Sequence, residues 1–300
     1  MMRSRRGRGY AMMVAAYLIG GLSATLVTWA TAPASLLLVI RFAVAALVLG
    51  AVFARRRLAG LVARGVWPRV LLMGAFDAGT MLLYFVAIRG TGVAIATFFL
   101  FTQPVWVALL APRLLGSDTE RAVHAAIGLA LAGLAIILLP SLSGSGVHAS
   151  VLGLIAGLGS GLCYTGNALV VKGLSRQLES ASMVLAQVTL DGLFLLPLAL
   201  WQTLGAGYAL TGRDLLVGVV LGLLCTALAY TLWMEGMARV RVQHSAVLGF
   251  LVPVAAPVYA LVILGQSIAL WTVVGGALIL AAGVLVVLRG QPDLESELPV

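Results

Sequence analysis

The sequence predicts an all-α polytopic membrane protein of ten transmembrane helices, arranged as two inverted five-helix repeats. Three observations predict it. The chain is 62% hydrophobic and only 10% charged, where a soluble domain carries about 25% charged residues. Its apolar residues fall into ten runs of roughly 20, which match a hydrocarbon layer of about 30 Å at about 1.5 Å per helical residue. Sixteen of the 19 Lys and Arg residues sit in or at the edges of alternate gaps between those runs, the signature of loops kept on the cytoplasmic side.

The runs cover 11–29, 34–53, 68–88, 93–115, 122–139, 150–172, 181–203, 213–235, 243–264 and 270–288. As helices they close their own backbone hydrogen bonds, which lipid demands, and the alternating pattern of a membrane barrel is absent. Arg3, Arg5, Arg6 and Arg8 precede the first run. Ala30-Thr31-Ala32 after it has the look of a signal-peptide cleavage site, but the run is longer than a signal core and Pro33 follows, so it reads as a retained first crossing. Arg5-Arg6 likewise reads as an anchor rather than a twin-arginine export signal. Arg55, Arg56, Arg57, Arg64 and Arg69 separate the second and third runs, and Arg113 and Arg121 the fourth and fifth. Lys172 and Arg176 follow the sixth, Arg239 and Arg241 the eighth, and Arg289 the tenth. The remaining gaps hold only Arg89 and Arg213.

Ten crossings then place both termini in the cytoplasm, in a plasma membrane of the bacterial inner-membrane kind. The net charge of +9 is a topology signal and an attraction to anionic lipid headgroups. Nucleic-acid binding needs a solvated basic domain, and the sequence offers none. Tyr10, Trp29, Trp67, Trp201, Tyr208 and Trp271 fall at run ends, where amphipathic rings suit the headgroup level. The tail after Arg289, with Pro292, Asp293, Glu295 and Glu297, reads as a short cytoplasmic end spanning 291–300.

Covalent chemistry is poorly supplied. Cys163 and Cys225 lie inside runs and read as small core residues. His124, His148 and His244 are scattered, without metal-ligand spacing, and no nucleophile elbow, phosphate loop or dinucleotide fingerprint occurs. No catalytic residue, metal or cofactor is expected.

The uncharged segment Pro140–Ser150 divides the chain into units of 1–145 and 146–290. With five helices in each, the first helix of one unit runs opposite to the first of the other, an inverted repeat that places a substrate site at the bilayer midplane between the halves. Sequence echoes support the repeat. Tyr84 precedes Pro104 and Tyr230 precedes Pro253, and both prolines stand 12 residues before a glycine, Gly116 and Gly265. Pro104, Pro253 and Pro257 read as mid-helix kinks, serving either gating or packing.

In this order and spacing the chain resembles the drug/metabolite transporter superfamily, in its ten-helix EamA-like branch. The resemblance rests on Arg41-Phe42, Leu83-Tyr84 with Ala87, Gln103-Pro104-Val105 with Ala108-Leu109-Leu110, then Ala229-Tyr230 with Trp233 and Val252-Pro253-Val254 with Pro257. The second half departs from it in lacking a counterpart of Arg41-Phe42 and in carrying Glu235 near a usually small position. The resemblance implies an exporter of small metabolites with a cavity lined by helices 1, 3, 4, 6, 8 and 9.

The deepest ionisable residues are Arg41, Asp77 and Asp191. Each costs about 2.5–3.5 kcal/mol on insertion scales and must face protein or water. Counted at about 1.5 Å per residue, all three reach the same depth zone. They are expected to form an ion pair, structural or coupling, with the unpaired carboxyl protonated, hydrogen-bonded or open to a ligand or proton. Asp77, Thr80, Met81 and Tyr84 make a polar-aromatic stripe at helical spacing, matched by Thr226, Tyr230 and Trp233. Gly153, Gly157 and Gly161 form a packing seam, beyond which Tyr164 and Asn167 emerge. Tyr17, Phe98 and Phe101 complete the candidate lining. The expected function is export of small amphipathic metabolites, amino acids, related compounds or drugs, by alternating access with protons as a candidate partner. A nucleotide-sugar or organic-cation carrier is the alternative within transporters, and a membrane-embedded enzyme the alternative outside them. Oligomeric state is not encoded legibly.

Overall fold

The computed structural model describes residues 2–53, 65–116, 119–142, 150–265 and 268–289. Expectations about Arg55, Arg56, Arg57, Arg64, His148 and the tail from 290 lie outside these residues. All regular structure among them is helical: α1 (Met2–Val27), α2 (Ala34–Phe53), α3 (Trp67–Leu100), α4 (Gln103–Leu115), α5 (Arg121–Leu142), α6 (Val151–Leu174), α7 (Ser180–Ala206), α8 (Gly212–Val220), a π-helical turn (Leu221–Leu228), α9 (Ala229–Met237), α10 (Val242–Leu248), α11 (Leu251–Leu264) and α12 (Leu270–Arg289). They supply ten segments long and apolar enough to cross a membrane. Leu47, Leu204, Val262 and Leu288 stand exposed on the outside, as a surface solvated by lipid allows.

Two crossings are broken. The fourth consists of the end of α3 and then α4, with Phe101-Thr102 between. The ninth consists of α10 and α11, with Gly249-Phe250 between. This corrects the expectation that Pro104 and Pro253 kink the middle of a helix. Pro104 is in the opening turn of α4 and Pro253 in that of α11, where a missing N–H costs no hydrogen bond. The interruption precedes each proline, and only Pro257 lies inside a helix among the three. Both distal segments end at a left-handed glycine, Gly116 at φ 66° and Gly265 at φ 67°, which stops the helix cheaply.

The helix pairing maps onto itself when the halves are exchanged. α1 packs on α9 and α11, and α6 packs on α3 and α4; α2 pairs with α7 and α5 with α12. Each half contributes five of the ten crossings. The breaks also meet: the Phe101 and Phe250 rings lie 5.8 Å apart between centroids. Along the α5–α12 seam the backbones nearly touch, since a Cβ on Gly133 would lie 2.5 Å from the Gly275 carbonyl oxygen.

Polar side chains tie the ends of the bundle. On the N-terminal face Lys172 is buried, and its ammonium donates to the carbonyls of Met237 and Val240 at 3.0 and 2.9 Å. A residue that reads from sequence as a topology marker therefore also caps the end of α9, where a cation meets the negative end of the helix dipole. A charge-assisted hydrogen bond contributes about 1.5–3 kcal/mol. Lys172→Met is accordingly expected to destabilise the protein by about 3 kcal/mol, measured as a lower melting temperature in detergent. On the same face Arg241 pairs with Glu120 at 2.8 Å, and His244 bridges Glu120 and the Tyr10 hydroxyl at 3.2 and 2.6 Å.

On the opposite face the Asp214 carboxylate, in the first turn of α8, accepts from Thr31 N at 2.7 Å, Ala32 N at 3.0 Å and the hydroxyls of Tyr208 and Thr211. It thus joins the loop after α1 to the loop before α8. The hydrogen bond to Asp214 is the main reason the Tyr208 phenol is held above its ordinary value of 10.0. A raised folded value means that the contribution is complete below the ordinary value and fades as pH climbs through the folded one. The melting temperature is therefore expected to fall more steeply above pH 10.0 in the wild type than in Tyr208→Phe.

Candidate functional site

The buried ionisable groups converge at half depth. Asp77 on α3 and Asp191 on α7 are both buried, and their carboxyl groups lie within electrostatic range of each other. Gln187, one helical turn before Asp191, donates to its two oxygens at 3.2 and 3.3 Å. Asn167 on α6 donates to the Gln187 side-chain oxygen at 3.2 Å and to the Met73 carbonyl at 3.0 Å, stitching α6 to α7 and α3. From α9 the Tyr230 hydroxyl donates to Asp77 Oδ2 at 3.4 Å. One carboxyl comes from each half of the chain.

Arg41 takes different partners from those expected. Among the described residues the ion pairs are Arg239–Glu235, Arg241–Glu120 and His244–Glu120. Arg41 instead donates from Nε to Thr226 Oγ1 at 2.5 Å and from Nη2 to the Cys225 carbonyl at 3.2 Å. Its guanidinium carbon lies 5.4 Å from the Phe42 ring centroid and 5.9 Å from that of Tyr230. It acts on Asp77 and Asp191 through space rather than by contact. The reason is local: the π-helical turn, packed on α2, presents a hydroxyl and a carbonyl within hydrogen-bonding reach of the guanidinium. Glu235 pairs with Arg239 one turn on, away from this group.

The aromatic residues partly join it. Tyr17 on α1 receives Trp233 Nε1 at 2.9 Å and exchanges a hydrogen bond with Ser245 at 2.8 Å. Tyr164 lies within electrostatic range of Tyr17 and Asp77, and Tyr230 within range of Tyr164, Asp77 and Asp191. Tyr164 makes no side-chain hydrogen bond among the described residues, so its hydroxyl is available. Hydrogen bonds thus link Tyr230 to Asp77 and Trp233 to Tyr17, pairs drawn from both halves, with Tyr164 in electrostatic range of each.

Other expected residues sit elsewhere or are already engaged. Thr226 is fully buried, bonded to Arg41 and to the Leu221 carbonyl. Thr80 bonds back to the Phe76 carbonyl of its own helix. Tyr84 bonds Thr97 at 2.8 Å near the far end of α3. Phe98 meets Phe99 edge-on, and Phe101 packs on Phe250. Gln187 was not singled out from sequence, although its position four residues before Asp191 in an apolar helix marks a shared face. Ser245 and the Tyr10–His244–Glu120 cluster gave no signal of that kind.

A bundle of ten apolar crossings, with a polar group held at half depth between two repeated halves, has the build of a membrane transport protein. The chain belongs to the EamA-like transporter family, whose pattern matches residues 7–139 and again 151–288. It is 28% identical over 222 residues to the uncharacterized transporter YwfM of Bacillus subtilis (strain 168), covering 74% of this chain and 73% of that one. An uncharacterized transporter of Archaeoglobus fulgidus is 30% identical over 225 residues, covering 74% of this chain and 77% of its own length. A protein solved by crystallography superposes with a TM-score of 0.79 at 19% identity, over 94% of this chain and 97% of the other. At that identity the likeness concerns the fold alone.

Proposed function

We propose that this transporter is a secondary carrier that exports small amphipathic metabolites, amino acids or related compounds and drugs, by alternating access around the half-depth group. The reading is carried by the meeting of Tyr17, Asp77, Tyr164, Tyr230 and Trp233 from four helices of both halves. Rings of this kind hold apolar parts of a small molecule, while the carboxyl pair and the Tyr164 hydroxyl meet its polar groups. Two carboxyl groups buried close together hold one proton between them, because like charges at short range do not both ionise. With Arg41 the group then sums to zero charge, the cheapest state inside a membrane. A substrate carrying a single net positive charge that displaces that proton leaves the sum unchanged, which couples its export to proton entry. In this reading both termini lie in the cytoplasm, on the side of the basic loops, and the membrane is a bacterial inner membrane. The units 1–145 and 146–290 rock against each other, with the short tail 291–300 outside both.

Reconstituted protein is expected to show saturable counterflow of a labelled amino acid or organic cation in liposomes. Absence of counterflow across a panel of amino acids, their amides and quaternary amines would end this reading.

A further inference from the structure

Residues Leu221–Leu228 depart from α-helical geometry in the middle of the eighth crossing. In a π-helical turn each carbonyl is paired five residues on, so the turn carries one residue more than an α-turn. The Thr226 hydroxyl follows the same spacing and donates to the Leu221 carbonyl at 3.1 Å. Two acceptors of the turn are held by one side chain from a neighbouring helix. Arg41 Nε donates to Thr226 Oγ1 and Nη2 to the Cys225 carbonyl. The approach is close because the turn offers no side chain at its contact with α2: a Cβ on Gly222 would lie 2.7 Å from the Arg41 carbonyl oxygen.

We infer that Arg41 is a positioning residue that holds this turn in its π register and so fixes which face of α9 is presented to the half-depth group. Were the turn to close to α geometry, everything after it would rotate by about 100° about the helix axis. Tyr230 would then leave Asp77, and Trp233 would leave Tyr17. The charged and titratable groups facing Arg41 are Asp77 from α3, Asp191 from α7, Tyr230 from α9 and the Cys225 thiol of the turn itself. Loss of the proton between the two carboxyls presents Arg41 with two negative charges, which draws it from the neutral turn. Proton release and rotation of the aromatic face are thereby one event. The significance of that rotation for transport rests on the proposed function; the register of α9 does not.

Two engineered disulfides report on the helix before and after the turn, in a background of Cys163→Ser and Cys225→Ser. Before the turn, Ile40→Cys pairs with Gly218→Cys, where a Cβ at 218 would lie 2.5 Å from the Ile40 side chain. After it, Met13→Cys pairs with Gly236→Cys, where a Cβ at 236 would lie 2.8 Å from the Met13 side chain. In purified protein both disulfides are expected to form with Arg41 present. With Arg41→Gln the 13–236 yield is expected to fall severalfold while the 40–218 yield holds, and raising the pH is expected to act in the same direction only when Arg41 is present. Equal 13–236 yields with and without Arg41 overturn the inference. If Arg41→Gln loses both disulfides, Thr226→Val, which removes one acceptor and leaves the charge, decides. Selective loss of 13–236 in that variant supports the inference, and any other result overturns it by reducing Arg41 to general packing. Since no substrate is added, a failed transport reading leaves this outcome intact.

Discussion

Proteoliposomes carrying Asp77→Asn are expected to lose flux driven by a pH gradient while retaining exchange of labelled for unlabelled substrate. Asparagine keeps the shape of the side chain and an oxygen to accept from Tyr230, which reaches Asp77. It cannot give up a proton, so the group keeps the charge of the protonated wild type at any pH and a proton gradient no longer drives the cycle. A loss of gradient-driven flux of at least about tenfold, equivalent to about 1.4 kcal/mol, is the expected size. Asp191→Asn is expected to act in the same way, since the two carboxyls hold the proton jointly. Gradient-driven flux that survives Asp77→Asn unchanged removes Asp77 from any coupling role.

Gly275→Val is expected to prevent stable assembly of the bundle. A side chain there would press on the Gly133 carbonyl and the Ile137 side chain across the α5–α12 seam. Overpacking of a formed core costs about 1–3 kcal/mol when side chains can yield, and here the opposing atom is backbone, which cannot turn aside. The expected outcome is a large drop in melting temperature, or loss of a monodisperse peak on size exclusion. Gly128→Ala makes the control, because a Cβ at that position meets nothing within 4 Å, and alanine favours a helix by about 1 kcal/mol. Wild-type stability in Gly275→Val would show that α5 and α12 do not bear on each other as described.

The crossings were legible because lipid reduces secondary structure to a length and a hydropathy, and the spans agree with the ten crossing segments to within a few residues, although α3 runs without a break from the third into the fourth. Repetition was legible through Pro104 and Pro253, but the breaks they follow were not: proline marks where a helix can begin, and the interruptions at 101–102 and 249–250 belong to the residues before it. Arg41, Asp77 and Asp191 were recognisable as a group because each is costly in hydrocarbon. Their pairing was not, since Arg41 turns to a π-helical turn whose sequence, Leu-Gly-Leu-Leu-Cys-Thr-Ala-Leu, carries no mark of its geometry. Thr226 read as a lining residue for the same reason. The role of Lys172 beyond topology depends on where a second helix ends, which pattern along one helix cannot reveal.

The contact between Phe101 and Phe250 gives the two broken crossings a common fulcrum. Each ring sits where its own helix is weakest, so a tilt of the short arm on one side of the membrane bears directly on the joint of the other. Levers that share a pivot cannot swing freely of one another. Under the proposed alternating access, a molecule built this way has a mechanical reason to shut one door as it opens the opposite one, even before any cargo is aboard.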